Sequence, residues 1–367
     1  MAERRRVLLI VRSLESGGSE RQLAEIAKAL DRSRFDARVG CLRMEGPRLA
    51  DLRAEEVPVV EFPLRGLFRA SHLRAGRALG RYLKEQRIDI VHAFDVPGTL
   101  FAVTPARWYR APLVLSSQRA FRELTPKFRP LLRLMDRMVD GIVVNSEGVG
   151  RDLVERDGVK AERIHLCRNG VDLNLFYPPE ARREEEKLTI GVAAMLRPEK
   201  SLHTLIEAFA RVKARGVAAR LVIVGSGEML GSLETLARML GVTKDCHFEP
   251  ASRTVADWLR RFDVFVLPSV SEAQSNALME AMACRCCAVA SRVGGNPELV
   301  KEGVTGLLFE AGSAENLASK LEILARNGEL RGRMAEAGAR KMREEYSLAA
   351  SARRMGEIYD SLPARRR

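Results

Sequence analysis

Short apolar runs separated by helix-like patterns recur from one end of the 367-residue chain to the other. The runs lie at residues 7–11, 37–42, 57–62, 88–93, 113–115, 142–144, 164–167, 188–196, 221–224, 247–249, 264–267, 288–290 and 307–309. Strands that alternate with helices predict parallel sheets, because a parallel connection must cross over and a helix makes that crossover. The sequence therefore predicts an α/β fold.

A proline pair at 178–179 and a polar run divide this pattern into two halves. The run EARREEEK occupies residues 180–187, and a new strand pattern begins directly after it. A single core stops growing at roughly 250–300 residues, so the chain length also favours two domains. We predict a first domain at 1–180, a second at 187–345 and a final helix at 346–367.

Hydropathy and cysteine usage exclude several classes of protein. No apolar run approaches the roughly 18 residues that a membrane span requires. The basic N-terminus leads only into the run Val7–Val11, which is typical of a strand and too short for a signal peptide. We therefore expect a cytoplasmic protein. The six cysteines are irregularly spaced, without a second Cys or His pair at metal spacing, and we expect buried thiols.

The charge balance is strongly basic and uneven. The chain has 61 Lys and Arg against 48 Asp and Glu, a net charge of +13. Between Glu61 and Asp140 there are fifteen basic and seven acidic residues. Such an excess attracts phosphate on a substrate, a lipid headgroup or a nucleic acid, although a solvated basic surface would show the same composition.

Two segments carry much of this charge, Leu64–Ile88 and Pro105–Val139. Both interleave arginine with aromatic or aliphatic side chains, a pattern found at anionic membrane surfaces. The same pattern occurs in helices that cover a sheet and extend their arginines to water. For the first segment we favour the covering helix, and for the second both interpretations stand.

The stretch from Leu267 to Phe309 contains the most informative polar residues. A buried strand pattern ends near Ser269, a polar turn follows, and a helix is predicted over Ala277–Ala283 with Ser275 or Asn276 as its cap. The backbone N–H groups at a helix start attract anions. Glu272 and Glu280 flank this start, so the segment suits a ligand with phosphate in its middle and hydroxyls at both ends. That description matches a nucleotide sugar.

The first domain offers two further candidates. Gly17-Gly18 follows the first strand and precedes a predicted capping box, Ser19 to Gln22, so phosphate could approach the backbone there, or the turn could be a tight connection. The fingerprint G-x-G-x-x-G is absent, which disfavours a nicotinamide or flavin enzyme. His92 ends a strand pattern, where ligands of α/β sheets bind, and either a structural or a functional role is open.

Taken in order, these residues resemble a known family. The segments that carry the likeness are Gly17-Gly18, His92, Asn145-Ser146, Asn169–Asp172 with Phe176, Arg197–Lys200, Val224–Gly227 and the run from Pro268 through Glu272 and Glu280 to Glu298. They resemble the retaining, nucleotide-sugar-dependent glycosyltransferases of family 4, which have the GT-B fold.

The resemblance implies two Rossmann-like domains with parallel sheets facing an interdomain cleft. The N-terminal domain would hold the acceptor, the C-terminal domain the donor, and the final helix would cross back to the first domain. The implied reaction moves a sugar, typically a hexose, from a nucleoside-diphosphate sugar to a glycan or lipid-linked acceptor with retention of configuration. Cell-envelope or exopolysaccharide synthesis would be the setting. Family members need no metal or other cofactor.

The resemblance also assigns roles to single residues. Glu280 matches the carboxylate that binds the ribose hydroxyls, and Glu272 the one that binds the transferred sugar. Backbone N–H groups of Asn276 and Ala277 would hold the diphosphate, and Lys200 would neutralise the departing nucleotide.

The remaining family positions complete the implied site. Gly17 and Gly18 would close over the donor, and Arg197, Gln274 and Ser275 would add contacts to it. His92 matches a histidine near the sugar and acceptor, where it would orient the sugar or assist the acceptor.

The sequence departs from the family pattern at several positions. Met195 replaces an arginine, a loss for which Arg197 could compensate. The glycine-rich turn is replaced by Ala273-Gln274-Ser275. Arg285 and Cys287 stand where glycine and proline are common. A left-handed arginine costs roughly 1–2 kcal/mol, so the helix before it could end differently.

Two other functions remain open. One is a GT-B nucleotide-sugar epimerase. The other, from a different class, is a basic binding module for an anionic membrane or nucleic acid in which the catalytic cleft is vestigial. For the transferase we expect no nucleic-acid partner, whereas an anionic membrane surface is a candidate partner.

Overall fold

The computed structural model describes residues 4–64, 70–122, 126–180, 187–252 and 254–365. It divides into two compact units: unit 1 contains Met1–Gly170 and Leu348–Arg367, and unit 2 contains Val171–Ser347. Unit 2 thus begins ahead of the sequence-predicted boundary. Most of the predicted linker, residues 181–186, lies outside the described residues.

Unit 1 is built on a seven-stranded parallel sheet. Its strands are β1 (Arg5–Val11), β2 (Phe35–Cys41), β3 (Val59–Glu61), β4 (Ile90–Ala93), β5 (Leu113–Gln118), β6 (Gly141–Val144) and β7 (Ile164–Leu166), in the order β3-β2-β1-β4-β5-β6-β7. Its helices are α1 (Gly18–Ala29), α2 (Arg48–Ala54), α3 (Ala70–Glu85), α4 (Val96–Trp108), α5 (Arg129–Met138), α6 (Glu147–Asp157) and, from the C-terminus, α14 (Leu348–Ser361). The order reverses between β1 and β4, the place where open α/β sheets bind ligands.

Unit 2 repeats the plan with six parallel strands. They are β8 (Leu188–Ala193), β9 (Ala219–Val224), β10 (Cys246–Glu249), β11 (Val264–Leu267), β12 (Cys287–Ser291) and β13 (Gly306–Phe309), in the order β10-β9-β8-β11-β12-β13. The helices are α7 (Leu202–Ala214), α8 (Leu230–Met239), α9 (Val255–Leu259), α10 (Asn276–Ala283), α11 (Asn296–Leu299), α12 (Ala314–Arg326) and α13 (Gly328–Glu345). The predicted α/β fold with parallel sheets is confirmed in both units.

The apolar runs form strands because both faces of each sheet are covered by helices. On one face of the unit 1 sheet, Ile90, Leu115 and Val143 are fully buried and share a core with residues of α1 and α14. The side chains of this face become polar toward the carboxyl ends of the strands, where His92 and Ser117 follow. The polar side chains at this end of the sheet hold the C-terminal helix α14 in place.

His92 is one of these polar side chains, and its surroundings differ from the sequence-based expectation. It is 0% exposed; its Nδ1 is 2.9 Å from the Tyr359 hydroxyl and its Nε2 is 2.9 Å from Ser117 Oγ. Both ring nitrogens therefore have hydrogen-bond partners within unit 1. The expectation that His92 faces a ligand does not match this position, because the strand places the ring under α14 and closes it from solvent.

The basic segments are also partly internal. Residues 65–69 of the first lie outside the described residues, and α3 forms the rest. In the second, the buried carboxylate of Asp157 binds Arg122, Arg129 and Arg133 at 3.3, 2.6 and 2.8 Å. These three arginines are committed to an ion cluster. The excess charge is thus not all available to a partner.

Three further expectations meet the structure. All six cysteines are free and buried, as predicted. Arg285 does adopt the left-handed backbone, with φ 63°, directly after α10 and its C-cap Cys284. Across the described segments, no helix has both the length and the apolar character to cross a membrane.

The buried His92 gives a prediction for the pH dependence of stability. Burial, and secondarily the charge of Arg119, holds its pKa well below 6.5, so the folded protein binds this proton less tightly than the unfolded chain. The contribution of neutral His92 to the free energy of unfolding is complete above about pH 6.5 and is lost as the pH falls below that value. Between pH 7 and 5, the free energy of unfolding should therefore fall more steeply for the natural protein than for His92→Gln.

Urea denaturation at several pH values measures this difference. Asp95 acts in the opposite sense, because burial raises its pKa to about 6, but it is present in both proteins and cancels. Parallel pH profiles for the two proteins would show that His92 is not a buried neutral histidine.

Candidate functional site

The loops at the carboxyl ends of β8 and β11 meet through a charged pair. Lys200, in a 3-10 turn at Pro198–Lys200, places its Nζ 2.5 Å from Glu272 Oε1. Ser269 donates from its Oγ to the same oxygen at 2.8 Å, and the backbone N–H of Val270 donates to the Glu199 carbonyl at 2.9 Å. The two loops are therefore fixed to each other by side chains and backbone.

The sequence suggested separate roles for Lys200 and Glu272, and the structure brings them into contact. Their side chains are only 24% and 11% exposed, so each charge offsets the cost of burying the other. An anion entering beside Lys200 would compete with Glu272 for the ammonium group. Glu272 would then be released to accept hydrogen bonds from other donors.

The start of α10 lies directly after this pair. Ser275 is the N-cap, and its Oγ accepts from the Leu278 N–H at 3.3 Å, as the sequence allowed. Ala273, Gln274 and Ser275 are all at least nine-tenths buried, so the altered turn is packed inside unit 2. The first N–H groups of a helix lack intrahelical acceptors and carry the positive end of its dipole. This end of α10 therefore favours an anion.

Glu280 lies one turn along α10 and is 5% exposed. A carboxylate accepts hydrogen bonds only, so the hydroxyls of a ligand can donate to it. The segment thus presents an anion-attracting helix start between two acceptor groups, Glu272 and Glu280.

A buried polar network behind the pair was missed by sequence reasoning. Ser291 Oγ donates to the Ser269 carbonyl at 2.5 Å, and Asn296 Nδ2 donates to the Ser291 carbonyl at 3.0 Å. Gly294 has φ 49°, and the Gly295 N–H donates to the Glu272 carbonyl at 3.1 Å. The available signal was a serine at the carboxyl end of each of two neighbouring strands.

The glycines after β9 have a packing role. A Cβ on Gly225 would lie 1.9 Å from the Ala194 carbonyl oxygen, and one on Gly227 would lie 2.4 Å from that of Leu196. This close approach sets the path of the loop that carries Arg197. Arg197 and Met195 are both exposed on that loop.

In unit 1, the glycine pair starts α1 differently from the prediction. Gly17 is the N-cap and no side chain caps the helix, so the predicted Ser19 to Gln22 capping box is wrong. The Gln22 side chain instead binds both the N–H and the carbonyl of Gly170, each at 3.0 Å. The carboxylate of Glu20 folds over Gly17, where a Cβ would lie 2.1 Å from its Oε2. That negative charge opposes an anion at Gly17 and Gly18.

Asp95 fixes the loop before this glycine pair. Its Oδ2 accepts from the Arg12 N–H at 2.9 Å, and its Oδ1 accepts from the Gly98 N–H at 2.7 Å as the N-cap of α4. Unit 1 thus contains Gly17, Gly18 and the buried His92. Unit 2 brings together Lys200, Glu272 and the start of α10.

Two family models match the chain. The model described as "Glycosyltransferase Family 4" matches residues 16–175, and the one described as "Glycosyl transferases group 1" matches residues 176–341. The two matches follow one another directly and correspond closely to the two units.

Relatives with assigned names agree with these matches. The chain is 26% identical over 349 residues to the putative glycosyltransferase EpsF of Bacillus subtilis, covering 89% of this chain and 88% of that protein. It is 34% identical over 216 residues to the putative colanic acid biosynthesis glycosyltransferase WcaL of Escherichia coli, covering 56% of this chain. Here the match spans about half of the relative, 52% of its length.

The fold is shared with a solved structure. HepE from Anabaena, in complex with UDP and glucose, superimposes with a TM-score of 0.86 at 20% identity, covering 98% of this chain and 100% of that one. The two parallel-sheet units are therefore those of the GT-B type. With family models matching both units, the chain belongs to the family-4 type of glycosyltransferases.

Proposed function

We propose that this glycosyltransferase moves a hexosyl group from a nucleoside-diphosphate sugar to a glycan or lipid-linked acceptor, with retention of configuration. The observation that carries the proposal is the Lys200–Glu272 pair beside the capped start of α10, with Glu280 buried one turn further. Lys200 and the helix start would meet the diphosphate, and the two carboxylates would meet the ribose and the sugar on either side of it.

Binding of the donor would rearrange this pair. The diphosphate would lie at the N–H groups of Asn276 and Ala277, favoured by the helix dipole. Lys200 would turn from Glu272 to a phosphate oxygen, with Arg197 as a second cation. Glu272 would then accept from hydroxyls of the sugar, and Glu280 from hydroxyls of the ribose. Gln274 and Ser275 would maintain the turn.

In the reaction, the bond from the anomeric carbon to the phosphate oxygen breaks. The acceptor oxygen attacks from the same face, and its proton passes to the leaving phosphate. Lys200 stabilises the negative charge that develops there, a contribution that is worth roughly 3–4 kcal/mol for a single donor. We propose that no metal or other cofactor takes part, because the protein's own cations meet the phosphate.

The histidine and the glycines have other roles in this proposal. A buried His92 with both nitrogens engaged positions β4 and α14 and does not act as an acid or base. Gly17 and Gly18 stay candidates for close approach to phosphate, provided that Glu20 moves away.

The similarity to named proteins supports the setting. HepE was solved with UDP and glucose, and WcaL is named for colanic acid biosynthesis. We accordingly propose polysaccharide synthesis as the process. A vestigial binding module would not need the leaving-group cation Lys200 beside a sugar-binding carboxylate. An epimerase would return its product still attached to the nucleoside diphosphate, so net release of the nucleoside diphosphate separates it from a transferase.

Donor binding and turnover test the proposal. Thermal shifts across UDP-, GDP- and ADP-sugars identify the donor, and release of the nucleoside diphosphate measures its turnover. Glu280→Ala should weaken donor binding by about tenfold or more, because hydrogen bonds to a charged group are lost. Lys200→Ala should lower kcat by about a hundredfold. Chelation of metals should leave the donor binding and the kcat of the natural protein unchanged.

The control is Glu234→Ala, which removes an exposed carboxylate on α8 of the same unit. It should behave as the natural protein. The transferase proposal fails if no nucleotide sugar is turned over and Glu280→Ala binds every nucleotide as well as the natural protein does.

We also propose that an anionic membrane surface binds unit 1. Trp108, at the end of α4, is 81% exposed, and Arg110, two residues later, is also exposed. Tryptophan is favoured at membrane interfaces, and arginine is attracted to anionic headgroups.

Vesicle flotation tests this surface. Binding to vesicles with phosphatidylserine should fall at high salt and in Trp108→Ser, because both the charge attraction and the aromatic anchor contribute. Vesicles of phosphatidylcholine alone are the control. Equal binding to both kinds of vesicle would contradict the proposal.

A further inference from the structure

A row of polar side chains ends one face of the unit 1 sheet. Gln118 of β5 pairs with Val144 of β6, which pairs with Leu166 of β7. Arg119 and Asn145 therefore follow side by side, and Asn169 lies three residues beyond Leu166. Side chains alternate between the faces of a sheet. Leu115, Val143 and Cys167 belong to the core under α1 and α14. Arg119, Asn145 and Asn169 follow them at even spacing and therefore lie on that same face.

Arg119 is a half-buried cation that has no carboxylate partner among the described residues. Its Nη1 donates to Asn169 Oδ1 at 2.5 Å, and its guanidinium lies 4.7 Å from the ring centroid of Phe94. Its Nε is buried without a hydrogen-bond partner, and no carboxylate oxygen of the described residues lies within 4.0 Å of it. Burial lowers the pKa of Arg119, which reflects the cost of removing its charge from water.

Other buried arginines of unit 1 show what is missing. Arg122 binds Asp136 at 2.8 Å, and Arg107 binds Asp140 at 2.7 Å. Both charges are offset by a carboxylate on a neighbouring element. Among the described residues, Arg119 contacts the amide of Asn169 and the face of Phe94, neither of which is an anion. An anion is needed to offset its charge in the same way.

Asn145 provides an independent sign of an incomplete site. It is 2% exposed, and its Oδ1 is buried without a hydrogen-bond partner. Leaving a buried polar atom without a hydrogen bond is costly, so such atoms are normally paired. Asn145 stands beside Arg119 in the row. Two unsatisfied polar groups on one face, at the carboxyl edge of a parallel sheet, describe a ligand site.

We propose that Arg119, together with Asn145 and Asn169, binds an oxyanion carried by the acceptor, either a phosphate or a carboxylate. The planar guanidinium matches both anions with two parallel hydrogen bonds. If the Asn145 amide turns over, its Nδ2 takes the place of Oδ1 and donates an N–H to the same anion. The inference rests on the proposed function, and it names the acceptor class as acidic.

A purely structural role for Arg119 predicts a different effect of its substitution on stability. If the guanidinium only held Asn169, its removal would lower stability. If it is kept for an absent anion, Arg119→Gln removes a desolvated charge and should leave the melting temperature unchanged or higher. The measurement is made without phosphate in the buffer.

Binding of two probe anions tests the site. Inorganic phosphate and methyl glucuronide are titrated calorimetrically into the natural protein, Arg119→Gln, Arg119→Lys and the control Arg77→Gln. Arg77 is an exposed arginine on α3. The neutral methyl glucoside is the control ligand. All titrations are repeated in the Lys200→Ala background, because phosphate is also attracted to the start of α10.

The expected result is saturable binding of at least one anion that weakens about tenfold or more in Arg119→Gln. Arg119→Lys should bind the anion with intermediate affinity, since lysine keeps the positive charge but lacks the two parallel N–H donors of the guanidinium. Arg77→Gln should bind the anion as the natural protein does. The stronger of the two probes identifies phosphate or carboxylate as the acidic group. Equal affinity in the natural protein and Arg119→Gln, or no binding of either anion, overturns the site.

Binding of the nucleoside diphosphate separates this inference from the proposed function. Calorimetry should give Arg119→Gln the same affinity for the nucleoside diphosphate as the natural protein, because the acceptor site does not contact the donor. A weaker affinity would assign Arg119 to the donor and overturn the acceptor role. If Glu280→Ala binds nucleotides as well as the natural protein does, while anions still bind at Arg119, only the proposed function is contradicted.

Discussion

The parallel pairing of strands is the constraint on which both units depend. It brings the carboxyl ends of all strands to one edge, so residues that are distant in sequence meet there. Lys200 and Glu272 are 72 residues apart, yet they touch because β8 and β11 are neighbours. The same rule aligns Arg119, Asn145 and Asn169 in unit 1. Apart from Asn169, which follows the partly buried edge strand β7, each of these polar groups follows a strand that is largely buried on both faces.

Local patterns predicted local structure well. The apolar runs became strands, and α10 begins at Asn276, one residue from its predicted start, with Ser275 as cap. Contacts between distant elements could not be predicted in this way. Gln22 looked like part of a capping box, but it binds Gly170, 148 residues away. His92 looked like a ligand-facing residue, but Tyr359, 267 residues later, covers it.

The arginines that make unit 1 basic fall into three groups with different surroundings. Arg122, Arg129 and Arg133 are held by buried carboxylates and stabilise the fold. Exposed arginines such as Arg77 contribute a general attraction for anions. Arg119 is half-buried and has no counter-charge in the described part of the chain, and a specific oxyanion would complete its surroundings. Composition alone cannot separate these kinds, because the difference lies in which side chains the fold brings to each guanidinium.

The central claim is that a nucleotide sugar binds beside α10 and exchanges the partners of Lys200. A crystal structure with the nucleoside diphosphate of the donor tests it most directly. We predict ribose hydroxyls within roughly 2.6–3.2 Å of the Glu280 carboxylate, the diphosphate at the start of α10, and Lys200 moved from Glu272 to a phosphate oxygen. A nucleotide bound elsewhere, with the Lys200–Glu272 pair intact and Glu280 without a ligand contact, would contradict the account.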